Sequence, residues 1–480
     1  MSSIKKNFAY SSILTIAVYL FPLITFPYVT RVLGVEGIGK YNYAVSAIQY
    51  FSTFAMLGIN TVGIRAIAKT KDDLNERSRV FSSLLILNLS TTLLAIFVLL
   101  VLIHFVPSFE EHSELLYIGI GQLLATSLVV EWLFKGLEDF RYITIRAILV
   151  RVIYVAAVLL FVNKPEDYTL YFLLSCLTVV VNAVINLIYS RKFVKFSFKH
   201  LEIKQYFGQF VILGIYQILT AMYVSFNVIF LGAKCGDIEV GYYSTATKLY
   251  GLLMSFFSAF TGVMLPRMSS LLAEGRKDDF LKMTNKSLDI LLLFALPIIV
   301  LSEVYAPEII RIIAGPGYEN AVVPFRIVMP LMLVIGYEQV VIIQMLSPLQ
   351  KDKAILTNSC LGAIVALALN FALVPRMGSV GSAIVWCSCE LTVLVSAQYF
   401  IHKYIGYLFP WKSLFRSLII TIPAILICTL CCSILNNNYL AMVISAVLVA
   451  VLFVLSEIIV FKNEVALSLY HDLKKIVYKK

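Results

Sequence analysis

"GYYSTATKLYGLLMSFFSAFTG", residues 241–262, contains a single charge, Lys248. The rest of the stretch is apolar, aromatic or small, and a helix of this length crosses a bilayer core. A charge held in hydrocarbon costs about 2.5–3.5 kcal/mol on insertion scales. The stretch therefore reads as a membrane span, and its lysine needs a reason to be there.

The same texture runs along the whole chain. Of 480 residues, 60% are hydrophobic and only 14% charged, whereas a soluble domain is roughly half apolar and about a quarter charged. Apolar blocks of about 20 residues alternate with short polar loops, the pattern of a polytopic helical membrane protein. The shorter alternating segments of a β-barrel are absent. The expected fold is all-α with about 14 transmembrane helices, from 9–33 through 240–265 to 439–461. The basic start, "MSSIKKN", precedes an apolar region too long for a signal peptide and without a small-residue cleavage site, so it is expected as a retained first span. Among eight cysteines only Cys235 falls in an expected outside loop. Cys428, Cys431 and Cys432 read as small hydrophobes in a span, not as a disulfide or metal framework. The five histidines show no zinc spacing.

Charge fixes the orientation. With a cytoplasmic N-terminus, inside segments collect clusters such as Arg65, Lys69, Lys71, Arg77 and Arg79, then Arg191, Lys192, Lys195, Lys199 and Lys204, and finally Lys462 to Lys480. The outside loops hold only Arg31, Lys40, Lys164, Lys234, Arg311 and Arg376. This positive-inside bias places both termini in the cytoplasm. It also explains most of the net charge of +11 as an orientation signal, with no nucleic-acid partner implied.

The chain contains an internal repeat. Laying "VGYYSTA" (240–246) over "IGKYNYA" (38–44) also brings Arg267 onto Arg65. The expected organisation is a six-helix lobe at 1–200, a second at 201–405, and two further helices with a cytoplasmic tail at 406–480. Two like lobes around a central cavity suit alternating access.

On a helix, positions three and four apart share a face. From Lys248 that face carries Gly241, Ser244, Thr245, Gly251, Ser255, Ser258 and Gly262. Leu249, Leu253, Phe256, Phe257 and Phe260 form the opposite side, expected to meet lipid. Span 2 repeats the pattern with Gly39, Asn42, Ser46, Gln49, Thr53 and Asn60, and span 7 adds Gln209, Tyr216, Thr220, Tyr223 and Asn227. Small residues alone suit helix packing, and a lone lysine can snorkel. Amides and hydroxyls on several helices together point instead to a shared water-filled cavity.

Catalytic and nucleotide motifs fail on inspection. "GVEGIGKY" (34–41) matches GxxxxGK, but Tyr41 replaces the required Ser or Thr and no strand precedes it. It is expected as an outside turn that ends one helix and begins the next. The external stretch "FVPSFEEHSEL" (105–115) is short; Glu110, Glu111 and Glu114 read as a solvated face around a lone His112. No enzyme is expected.

Several stretches resemble the Wzx-type polysaccharide repeat-unit flippases of the multidrug/oligosaccharidyl-lipid/polysaccharide exporter superfamily. "EWLFKGLEDF" (131–140) is similar to that family's Trp-Leu-Phe-Gln-Gly-Leu-Glu signature, with Lys135 in place of Gln. "FPYVTRVLGVEGIGKYNYA" (26–44), "VGYYSTATKLY" (240–250), "QMLSPLQKDK" (344–353) and "VPRMGSVGSAI" (374–384) resemble further family patterns. The resemblance implies transfer of an undecaprenyl-diphosphate-linked oligosaccharide across a bacterial cytoplasmic (inner) membrane, for O-antigen or capsule assembly. It implies as partners that lipid-linked oligosaccharide, membrane lipids, a polysaccharide polymerase and chain-length proteins.

A lysine binds phosphate as a point charge, so Lys248 and Arg31 are expected at the diphosphate. Asn42, Gln49, Tyr216 and Asn227 are expected at sugar or water, and Arg65 and Arg267 at the cytoplasmic entrance. Glu131, Glu338 and Glu390 are candidates for coupling to H+ or Na+; no cofactor or bound metal is expected. The rival readings are a cation-coupled drug or metabolite antiporter of the same superfamily and a membrane glycan polymerase.

Overall fold

Hydrocarbon offers no partner to a free backbone N–H or C=O, so a chain this apolar must satisfy its peptide groups within helices. The computed structural model describes residues 2–70, 73–197 and 201–460, and among them there is no strand. Lys71, Lys199 and the basic tail from Lys462 lie outside the described residues.

The first helices are α1 (Ser2–Met56), α2 (Ile59–Lys69), α3 (Leu74–Phe105), the short α4 (Pro107–Glu111) and α5 (Ser113–Leu128). They are followed by α6 (Glu131–Gly136), α7 (Phe140–Phe161), α8 (Tyr168–Ser190), α9 (Ile203–Cys235) and α10 (Asp237–Ala273). Then come α11 (Lys277–Val304), α12 (Ala306–Ile313), α13 (Val322–Val328) and α14 (Leu331–Gln339). The last are α15 (Asp352–Ile405), α16 (Trp411–Ile434) and α17 (Asn438–Leu455). Starts are capped where polar loops meet apolar runs. Asp73 accepts from the Asn75 and Glu76 amides at 2.8 and 3.1 Å, and Asn437 does the same for Tyr439 and Leu440 at 2.9 and 3.2 Å. Such side chains satisfy the orphan donors of a first turn.

Eleven helices among the described residues are long and apolar enough to cross a membrane, or up to 12 with one bent pair counted as a single span. The sequence expects fourteen. The count is lower because α1 and α15 each comprise two helices joined at one non-helical glycine, and each is counted once. Helix α1 is broken only at Gly34, and α15 only at Gly378. As expected of the turn, Gly34 ends one helix and begins the next, although the joint is a single residue and 35–41 already belong to the second helix.

The repeat is visible in the backbone. The alignment that lays 240–246 over 38–44 puts Gly236 on Gly34. Gly34 has φ 68° and ψ −177°; Gly236, between α9 and α10, has φ 84° and ψ 176°. Both occupy a region open essentially to glycine alone, so one unusual joint recurs at one point of each half.

The chain divides into two compact units. The first comprises Met1–Ser244, Ala314–Gly317 and Ala366–Ser382; the second comprises Thr245–Ile313, Tyr318–Val365 and Ala383–Lys480. The units group α9, the first residues of α10 and the middle of α15 with the first part of the chain, and group 406–480 with the second unit, beside the expected bounds of 1–200, 201–405 and 406–480.

In the first unit, Trp132, Leu133 and Phe134 are essentially fully buried, in one core with Ile59, Ile67 and Phe81. Gly63 lets α2 approach, since a Cβ there would lie 2.6 Å from the Trp132 ring. The signature segment is thus a packing element, and truncating such a ring costs about 3–5 kcal/mol. In the second unit, buried Tyr305 holds α16 and α17 through the Cys428 carbonyl at 3.2 Å and Ser445 Oγ at 2.8 Å. Arg416 of α16 pairs with Asp289 of α11 at 3.2 Å and with Glu457 at 3.1 Å. Outer surfaces carry the apolar load: Phe97 and Leu94 of α3 and Ile419 and Ile422 of α16 are each more than 60% exposed, as lipid-facing side chains are.

Candidate functional site

Lys248 lies in the second unit, about a third of the way along α10. Its side chain is exposed and has no hydrogen bond or ion pair among the described residues. The face around it is open only in part: a Cβ added at Gly251 or Gly262 would meet nothing within 4 Å and Ala259 is exposed, but Ser244, Thr245 and Ser255 are buried and Ser258 Oγ accepts from Gln339 Nε2 at 3.0 Å. The opposite side departs from expectation. Phe256 is 63% exposed, but Leu249 and Phe257 are each 3% exposed. That side is largely interior packing, because α10 is flanked by protein where the pattern suggested lipid.

Glu338 ends α14, immediately before a π-helical turn over Val340–Leu346. Such turns often mark functional sites, because the widened ladder frees backbone groups. Glu390 on α15 is buried near the Glu338 carboxyl and accepts from Trp386 Nε1 at 2.8 Å. The Trp386 ring packs edge-on against Tyr250, two residues beyond Lys248, at 5.1 Å. Among the described residues neither carboxyl has a basic partner. Two like carboxyls set close together without a cation disfavour joint ionisation, which leaves the pair a candidate for a cation or a proton. Glu131 is different: Lys135 lies 3.0 Å and Arg146 2.9 Å from its oxygens. Its charge is already compensated within the protein.

The other expected site residues fall as follows. Arg31, Asn42, Gln49 and Asn227 belong to the first unit. Arg31 is exposed and donates to the Pro27 carbonyl. Asn42 donates to the Ile38 carbonyl of its own helix at 2.8 Å. Gln49 is exposed, with no side-chain partner among the described residues. Asn227 is fully buried and donates to Tyr243 Oη at 3.0 Å and the Ser382 carbonyl at 3.1 Å. It braces helices, so its Nδ2 is not free for sugar. Tyr216 stands on α9, its side chain outside the described set. Arg65 and Arg267 are both exposed.

A cluster that the sequence reading missed closes the end of the first unit assigned by the charge pattern to the outer side. His112, expected on a solvated face, is 6% exposed. Its Nε2 donates to Asp237 Oδ1 and its Nδ1 to the Ser108 carbonyl, both at 2.8 Å, and its ring stacks on Tyr43 at 4.1 Å. The expectation failed because Asp237 lies 125 residues away in sequence. At the same place α1 and α10 touch backbone to backbone: a Cβ on Gly39 would lie 1.8 Å from the Asp237 carbonyl oxygen, and one on Gly241 2.3 Å from that of Val35. Glu239 fastens the bend of α15 by accepting from the Ser379 amide at 2.6 Å.

His112 lies in the turn between α4 and α5, outside the spanning segments. Burial pulls its pKa down, but the hydrogen bonds to Asp237 and Ser108 and the charges of Asp237 and Glu111 outweigh this and raise it above 6.5. An acceptor at each ring nitrogen favours the imidazolium. A raised pKa means that the latch has its full strength below 6.5 and loses it as pH rises through the raised value. Alkaline pH is therefore expected to increase labelling of Cys235, whose Sγ donates to the Val374 carbonyl beside this closure. A charged hydrogen bond is worth about 1.5–3 kcal/mol, so labelling by an impermeant maleimide should rise about tenfold or more. Labelling also rises with pH through ionisation of the thiol itself, so the rate is normalised to that of a small-molecule thiol; in His112→Gln the remaining pH dependence should vanish, and if it persists the latch is not the sensor.

The chain matches the family described as "Polysaccharide biosynthesis protein" over residues 4–272. It is 24% identical over 394 residues to a "Putative O-antigen transporter" of Escherichia coli (strain K12), covering 82% of this chain and 95% of that one. A protein of the same description from Shigella dysenteriae is 25% identical over 404 residues, covering 82% and 98%. Among solved structures, "Lipid II flippase MurJ, inward closed conformation" superposes with a TM-score of 0.75 at 15% identity, over 94% of this chain and 98% of that one. An outward-facing multidrug resistance MATE family transporter of the MOP superfamily gives a TM-score of 0.58 at 13% identity, over 84% and 96%.

Proposed function

The chain belongs to the polysaccharide biosynthesis protein family, and from that premise we propose that it flips an undecaprenyl-diphosphate-linked oligosaccharide from the cytoplasmic to the outer leaflet by alternating access. It is a multi-pass membrane transporter and not an enzyme, as its transporter relatives indicate. The observation that carries the reading is Lys248: an exposed cation without a partner among the described residues, within a spanning helix and beside the open positions Gly251, Ala259 and Gly262. The diphosphate is the strongly anionic group that must cross, and a point charge in a wet cavity replaces part of its lost hydration. Arg31 takes the same anion on the outer side, Gln49 and Asn42 meet sugar, and Arg65 and Arg267 draw the substrate in from the cytoplasm. Both termini are cytoplasmic in this scheme. A polymerase and chain-length proteins then use the exported unit.

The decisive experiment is removal of the chain from its host. Single lipid-linked repeat units should accumulate on the cytoplasmic leaflet. Unpolymerised units on the outer leaflet would indicate a polymerase, and unchanged glycan with altered drug tolerance an antiporter.

Coupling is assigned to the Glu338–Glu390 pair, with a proton as the cation. With one proton per cycle, a one-unit pH step changes the driving ratio by a factor of about ten. In proteoliposomes, Glu390→Gln should remove that response while substrate still binds. A response to the pH step that equals wild type would exclude the pair as the coupling site.

A further inference from the structure

The first unit contains a second cationic feature, unrelated to Lys248. Helices α6, α7 and α8 enclose a cavity of about 600 Å³ whose polar lining is Glu131, Lys135, Arg146, Arg151, Thr178 and Asn182. Its charges do not balance. Glu131 is the one carboxylate, and it is shared by Lys135 and Arg146. Arg146 is 7% exposed, and its Nε and Nη1 are buried without an acceptor among the described residues. The Nη1 of Arg151 is also buried without an acceptor, and Arg151 has no hydrogen-bonded or paired anion among the described residues. Lys135 is the residue that departs from the resembled signature, and it adds a third cation.

Buried guanidinium nitrogens left unpaired are costly, and the planar donor fork matches phosphate oxygens. From these facts we infer that the cavity is a binding site for the phosphate or diphosphate headgroup of a lipid. Its depth narrows the ligand. Arg151 stands about 16 Å along α7 from Phe140 at 1.5 Å per residue, near mid-membrane, whereas headgroups of the surrounding bilayer stay at its surface. The headgroup must be drawn in between helices, past the Lys135–Glu131–Arg146 cluster, which lies closer to the basic end of the span. The volume suits a diphosphate with room for water. That the lipid is the transported one rests on the flippase reading; the anion site itself does not.

The test is direct binding to the full chain in phosphatidylcholine nanodiscs, read without transport and in a Lys248→Ala background so that the α10 lysine contributes nothing. Inorganic pyrophosphate, farnesyl diphosphate and phosphatidylglycerol are titrated separately. Arg151→Gln should weaken the tightest of the three at least tenfold, Lys135→Gln several-fold, and Arg151→Lys should retain most of the affinity. Equal affinity for pyrophosphate and farnesyl diphosphate supports a free-anion site. Much tighter farnesyl diphosphate supports a prenyl-linked headgroup, and preference for phosphatidylglycerol a glycerophospholipid. If Arg151→Gln melts at the wild-type temperature and binds all three as tightly as its parent, the inference is overturned. If that variant does not fold, unchanged binding by Lys135→Gln overturns it instead. Absence of lipid-linked glycan transport by the unaltered chain, with this binding intact, would count against the flippase reading alone.

Discussion

Lys248→Ala stops export of the lipid-linked glycan at unchanged protein abundance, and Lys248→Arg keeps part of it. The abundance half follows from geometry: the side chain is exposed and touches no protein partner, so its removal breaks no internal bond and leaves no buried acceptor. The export half follows from charge. A hydrogen bond to an ionised group contributes about 1.5–3 kcal/mol, which is about ten- to a hundredfold in the occupancy of the crossing state. Arginine restores the charge but spreads it over a larger plane, so partial activity is expected. Export by the alanine variant at the wild-type rate would remove Lys248 from the diphosphate site.

The second large effect is expected at Gly39. In Gly39→Val a β-carbon would fall 1.8 Å from the Asp237 carbonyl oxygen. The clash is with backbone, which no rotamer change relieves. The closed arrangement of α1, α10 and His112 should therefore be lost, while each helix survives. Transport should fall to a level comparable with Lys248→Ala, because alternating access needs both end states. Cys235 should become labelled by the impermeant maleimide several-fold faster, measured by mass spectrometry of the modified peptide. Wild-type labelling together with wild-type transport would show that this close approach is dispensable.

These two residues were legible in sequence to different degrees, for physical reasons. Lys248 stands out because a charge in an apolar run is expensive wherever the run folds. Gly39 was visible only as one member of a polar stripe, since its importance lies in another helix's carbonyl. His112 was misread altogether. Four neighbouring positions of like polarity look solvated, and Asp237, which buries the ring, lies 125 residues on. Arg146 shows no partner within four positions in the sequence, yet it sits 2.9 Å from Glu131. Helical periodicity exposes partners three or four positions apart, as with Glu131 and Lys135. It is blind to pairs made by helix packing. The helices themselves were readable because hydropathy sets them, but the shortness of the joints at Gly34 and Gly378 was not. A glycine that bends a helix and a glycine that ends one look the same in the chain.

The signature segment deserves a different use from the one its recognisability invites. Trp132, Leu133 and Phe134 are buried to within about 1%. The segment is flanked by two non-glycine residues in left-handed backbone, Val130 at φ 41° and Glu138 at φ 62°, which only a firmly packed surrounding holds in place. Three of its side chains are thus sealed away from any cargo. Comparisons keyed on Trp132 sort chains by scaffold, whatever glycan they carry. Sorting by cargo has to be keyed on side chains that stay open, such as Gln49 and Lys248, and in a family tree the two classifications are free to disagree.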